Sequence, residues 1–147
     1  METTLDLGIV GFDAPPGWNF FPMDQRVIAR PENRVGVLTI SVEQRHAVNG
    51  TATHERCMVA AKEAAGLAGE GPGADRARDH LDACLAGGES FRVGADFIRV
   101  WYHHCRDGLI VAWFSAPVAR EDEPLVKELI KDCEQIILSI HFPPPMA

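Results

Sequence analysis

The sequence predicts a single α+β domain: an antiparallel meander sheet with two main helices packed on it. Three observations support this class. The stretch "DFIRVWYHHCRDGLIVAWFSA" reads as two apolar strands around Asp107-Gly108, a dipeptide that supplies the positive φ angles of a tight hairpin. The segment "REDEPLVKELIKDCEQIILSI" repeats Leu125, Leu129, Cys133, Ile136 and Ile140 at helical spacing. From Thr51 onward His54, Cys57/Met58, Ala61, Ala64/Ala65 and Ala68 recur in the same way.

The 147 residues suffice for one core, so one domain is expected over 1–147, ordered from about 5 to 142, with a proline-rich tail at 143–147. With 46% hydrophobic and 24% charged residues, the composition is that of a globular chain and excludes collagen-like or disordered classes. A net charge of −7 without any run of Lys and Arg argues against nucleic acid and favours another protein, through a basic or apolar segment, as partner. No apolar segment is long enough to span a membrane. The start "METTLDLG" carries neither the positive nor the apolar region of a secretion signal, so a cytoplasmic location is expected. Cys57, Cys84, Cys105 and Cys133 are widely spaced and read as four reduced thiols.

In chain order, "LDLGIVGFD" at 5–13 reads as a strand stopped by "APPG", where two prolines forbid further pairing. "WNFF" is a short aromatic segment, and "RVIAR" and "VGVLTISVE" form a hairpin around "PENR". After the first helix, Gly69 to Asp79 reads as a mobile loop. Its "GEGPGA" imitates a dinucleotide fingerprint, but it follows a helix, and Pro72 has no N–H for a pyrophosphate. "HLDACLAGGESFRV" reads as two strands joined at Gly87-Gly88. In the last helix, Glu121, Asp122 and Glu123 suit the positive dipole end and Pro124 the first turn.

The residues best suited to chemistry are His103-His104-Cys105. With Asp107 and Gly108 as the loop, Cys105 would pair with Ile110, His103 with Ala112 and Trp101 with Phe114. Alternation then sends Trp101, His103 and Cys105 to one face and Tyr102, His104 and Trp113 to the other. The two imidazoles point apart and cannot grip one ion. His103 and Cys105 share a face but stand about 6.6 Å apart along the strand, too far for a close hydrogen bond between them. Either chemistry needs a further partner, for which His54/Cys57 and His80/Cys84 are available. No catalytic residue, metal site or cofactor is therefore assigned; GxSxG, HExxH and GxxxxGK[ST] are all absent from the sequence. Both faces of this hairpin are apolar, which implies covering layers on both sides or one face kept for a partner. Tyr102, His104 and Trp113, with Trp18 beside the double proline, are the candidate partner-binding residues.

The strand-"APPGW"-strand opening, the "VLTISV" strand before a helix and the closing "CEQIILSIHF" together resemble the Mog1/PsbP-like group over nearly the whole chain. That resemblance implies a three-layer α/β/α sandwich around the sheet, and a group that mostly binds other proteins without catalytic residues. Within it, the small chaperones accompanying type VI secretion effectors look similar in length and acidity; the resemblance implies a groove for apolar effector segments, often in a homodimer. The leading expectation is a non-enzymatic protein-binding module, such as a secretion-linked effector chaperone or adaptor. The alternatives are a toxin-neutralising immunity protein, whose acidic surface would meet a basic effector, and a metal or small-ligand-binding protein built on His103 and Cys105.

Overall fold

In the computed structural model the described residues are 15–23, 26–43, 53–81, 84–105 and 108–140. The strand expected at 5–13 and the tail at 143–147 lie outside them. Among the described residues seven strands form one sheet: β1 (Trp18–Met23), β2 (Arg26–Pro31), β3 (Val37–Glu43), β4 (Ala74–Leu81), β5 (Cys84–Val93), β6 (Asp96–Cys105) and β7 (Gly108–Pro117). Every neighbouring pair is antiparallel, in the order β1-β2-β3-β7-β6-β5-β4. The sheet is thus two meanders rather than one. After β3 the chain crosses through helix α1 (His54–Ala64) to the far edge, then returns strand by strand until β7 pairs with β3. Helix α2 (Pro124–Ser139) follows a short 3-10 turn at Val118–Arg120.

Alternation along the strands divides the core in two. Leu38, Ile40, Ile110, Ala112, Phe114 and Trp101 face α2, which buries Val126, Leu129, Cys133, Ile136 and Ile137 against them. Val100, Tyr102, Leu109 and Val111 face the other way, onto Cys57, Met58 and Ala61 of α1. Both helices start as their sequences require. Thr53 caps α1, its hydroxyl accepting from the Arg56 amide at 3.1 Å. Pro124 opens α2, where its missing N–H costs nothing.

Several expectations need correction. Leu125 does not join the stripe of α2; it is exposed and Val126 is buried in its place, because a straight helix advances 3.6 residues per turn and the apolar face drifts by one position. The acidic residues before α2 serve arginines more than the helix end: Glu121 takes Arg92 at 2.7 Å and Glu123 takes Arg120 at 2.9 Å. Residues 74–79, expected within a loop, belong to edge strand β4. Buried groups beneath hold it: Arg99 donates to the Asp75 carbonyl at 2.6 Å, and Glu89 accepts from the Gly73 amide at 2.9 Å.

Gly87-Gly88 is no turn. It lies inside β5, and the β4–β5 hairpin closes where Leu81 meets Cys84. The glycines are there for close approach on both faces. A Cβ on Gly87 would strike the Tyr102 hydroxyl and come within 2.6 Å of the Ala77 carbonyl, while one on Gly88 would stand 2.7 Å from the Trp101 indole. Gly87→Ala is accordingly expected to lose about 1–3 kcal/mol of unfolding free energy through overpacking. Gly69→Ala, with nothing near its Cβ, should stay within about 0.5 kcal/mol. Urea titration of the two variants compares them directly.

The β6–β7 register also differs. Cys105 pairs with Gly108, His103 with Ile110 and Trp101 with Ala112, so Gly108 is the first residue of β7 and not part of the turn. The slip is two residues, an even number, so every side chain keeps its expected face.

Candidate functional site

The four candidate partner residues have different fates. Tyr102 is 2% exposed beneath α1, with its hydroxyl hydrogen-bonded to His54 Nδ1. Burial pushes its pKa up to about 12. Trp18 is 8% exposed, and its indole donates to Asp132 Oδ2 at 3.1 Å, tying β1 to α2. Both are occupied by contacts within the chain. His104 is half-buried, and that burial is the main cause holding its imidazole below the usual value. Trp113 is half-buried, with the Arg26 guanidinium 5.5 Å above its ring.

Trp113 belongs to a larger surface. Helix α1 has only three turns and lies over β5, β6 and β7. On the same side, the register sets Phe21 opposite Ile28, Ile28 opposite Thr39 and Thr39 opposite Trp113. This row crosses four strands, about 14 Å at the usual strand spacing. Phe21 is 50% exposed and neighbouring Met23 61%. Arg26 and Arg30 are exposed on the same face. Phe21 was legible as an aromatic beside Trp18 and Phe20, but not as part of a row, because a row exists only once the registers of two hairpins and of the long-range β3–β7 pairing are known.

A second cluster lies on the α2 side. Cys84 and Cys105 stand directly opposite on β5 and β6, with Cα atoms 4.3 Å apart, and are joined as a disulfide. Only Cys57 and Cys133 are free thiols, both buried. This overturns the expectation of four reduced thiols: residues 21 apart in sequence become cross-strand partners once the β5–β6 register is set. His103 is 7% exposed, its Nδ1 is 3.1 Å from the Ile137 carbonyl, and its Nε2 is 3.1 Å from Cys105 Sγ. The separation of about 6.6 Å between alternate residues therefore did not keep the two side-chain tips apart, since side chains on a strand lean along its direction. Cys84, one of the proposed additional partners, is the one that joins them; His54 and Cys57 belong to α1, on the opposite face of the sheet.

Fold and surface together define a seven-stranded antiparallel α+β protein with an apolar patch on one half of its sheet. Solved structures narrow that class. Mog1p, a Ran-binding protein of Saccharomyces cerevisiae, matches with a TM-score of 0.65 at 12% identity, over 96% of this chain and 94% of that one. The cyanobacterial PsbP of Synechocystis matches at 0.58 and 20% identity, over 91% and 86%. A Bacteroides thetaiotaomicron protein matches at 0.60 and 13% identity over 97% of this chain, which spans 49% of the other's length. The chain has the Mog1/PsbP-like fold. No family model and no curated protein matches it. No described helix is long and apolar enough to cross a membrane.

Proposed function

We propose that this chain is a non-enzymatic protein-binding module, acting as an effector chaperone or adaptor in secretion, that holds an apolar segment of its partner on the open half of the sheet. The observation carrying this reading is the row Phe21, Ile28, Thr39 and Trp113, apolar at three of four positions, half-exposed at Phe21, half-buried at Ile28 and Trp113 and buried at Thr39. Such a face gains free energy when water leaves it, at roughly 25 cal/mol per Å² of apolar surface. Within this reading the helices form the outer layers of an α/β/α sandwich, and the partner segment completes the layer that α1 leaves half built. Arg26 and Arg30 at its border favour a segment whose apolar side chains are followed by acidic ones. A Ran-binding protein shares the fold, which supports a scaffold suited to partner capture.

Retention of partner from extracts of the source cell, compared between the wild type and Phe21→Asp or Trp113→Ala, tests the assignment. Each variant should weaken capture of the same protein by more than about 1 kcal/mol while its circular dichroism stays native. Undiminished capture by both folded variants would remove the surface from consideration.

A further inference from the structure

Cys84, His103 and Cys105 offer three ligand atoms that all lie within 4.8 Å of one another. They come from adjacent strands of a rigid sheet: Cys84 opposite Cys105, and His103 two residues earlier on the same face of β6. The state of the imidazole follows from its neighbours. A carbonyl oxygen only accepts, so Nδ1 carries the proton it donates to Ile137, and in the neutral ring Nε2 then keeps its lone pair. That lone pair is aimed at Cys105 Sγ, a disulfide sulfur with no proton to give. A histidine that is 7% exposed thus presents an acceptor without a donor to a pair of cysteines. Ligating histidines are commonly oriented by such a bond from the other ring nitrogen to a backbone carbonyl.

We propose that reduction of the Cys84–Cys105 disulfide turns these three residues into a binding site for a single closed-shell thiophilic ion, Zn(II) or Cu(I), with a fourth position left open. The reductant is a dithiol. One of its thiolates attacks a disulfide sulfur, forming a mixed disulfide and expelling the other cysteine as a thiolate. Its second thiol then displaces the remaining cysteine and closes into the reductant's own disulfide. Two electrons pass to the protein, and protons from the dithiol leave Cys84 and Cys105 as thiols. Ion capture releases both thiol protons to water while two metal–sulfur bonds and one bond to Nε2 form. With metal–sulfur bonds of about 2.3 Å the sulfurs need to separate to about 3.8 Å, which χ1 rotation of directly opposite cysteines supplies. Cys84 and Cys105 are both partly exposed, so the ion can enter from solvent.

The test uses the full chain, reduced with a phosphine that does not chelate, freed of reductant without oxygen, and titrated with Co(II) in place of Zn(II), or with Cu(I) against a competing chelator. Equimolar binding by the reduced protein is expected, with a thiolate-to-metal charge-transfer band in the Co(II) arm and none from the oxidised protein. Cys84→Ser, Cys105→Ser and His103→Gln should each weaken binding by at least about tenfold. The doubly substituted Cys57→Ser, Cys133→Ser chain should bind as the wild type does. Binding in one arm alone identifies the ion. Failure to bind in both arms, loss of native circular dichroism on reduction, or unchanged affinity in a folded Cys84→Ser chain would overturn the proposal.

Discussion

Phe114→Ala should lower the unfolding free energy by about 3–5 kcal/mol, the largest effect expected of any single substitution considered. Phe114 has no exposed surface and sits on β7 opposite Leu38 of β3 and Arg99 of β6, at the seam where the two meanders join. Its ring lies against the backbone of Gly36, where even one added carbon would clash. The backbone on that side cannot follow a shrinking side chain, so truncation leaves a cavity as well as losing transfer free energy. Urea titration should show a lower midpoint with an unchanged slope. Leu138→Ala, at a position 55% exposed, should shift stability by no more than about 0.5 kcal/mol. Equal effects from the two would mean that the join between the meanders is not packed as described.

Alkali should unfold the protein progressively above pH 9. Burial pushes the Cys57 thiol up to about 11 from 9.0 and the Tyr102 hydroxyl up to about 12 from 10.0, and it raises Cys133 as well. In each case the folded state holds its proton more tightly than the unfolded state. Stability from Cys57 is therefore complete below pH 9 and drains away toward pH 11; that from Tyr102 drains between pH 10 and 12. At about 1.4 kcal/mol per unit of pKa difference, each contributes roughly 2–3 kcal/mol. Cys57 has no exposed surface and Tyr102 only 2%, so solvent does little to soften either effect. Denaturant titrations at successive pH values give the slope. Tyr102→Phe should flatten it between pH 10 and 12 while leaving the earlier decline from Cys57; a flat profile in the wild type would show that neither group is buried in the native state.

What the sequence revealed about this molecule follows the range of each signal. Facing of side chains in β6 and β7 is local, fixed by a period of two, and it placed Trp101 and Tyr102 on opposite cores. Register is not local. A slip of two residues leaves every apolar side chain inside, so the turn chemistry of Asp107-Gly108 chose a register that alternation could not check, and Gly108 pairs within β7 instead. Glycine pairs carry the same ambiguity in another form: Gly87-Gly88 has the chemistry of a turn and the job of admitting two aromatic rings. Both candidate sites depend on this missing layer. The row from Phe21 to Trp113 and the Cys84–His103–Cys105 cluster are each assembled across strands, by neighbours that have no fixed distance in the chain.

The two outermost described strands are chemically unlike. On β4, Asp75, Arg76, Arg78, Asp79 and His80 are all exposed, whereas β1 shows Phe21 and Met23. A charged border resists a newcomer, and a greasy one invites it. Growth by stacking sheets end to end needs two receptive borders per molecule. Among the described strands β1 alone offers such a border, and two molecules joining there back to back use up what each has to offer.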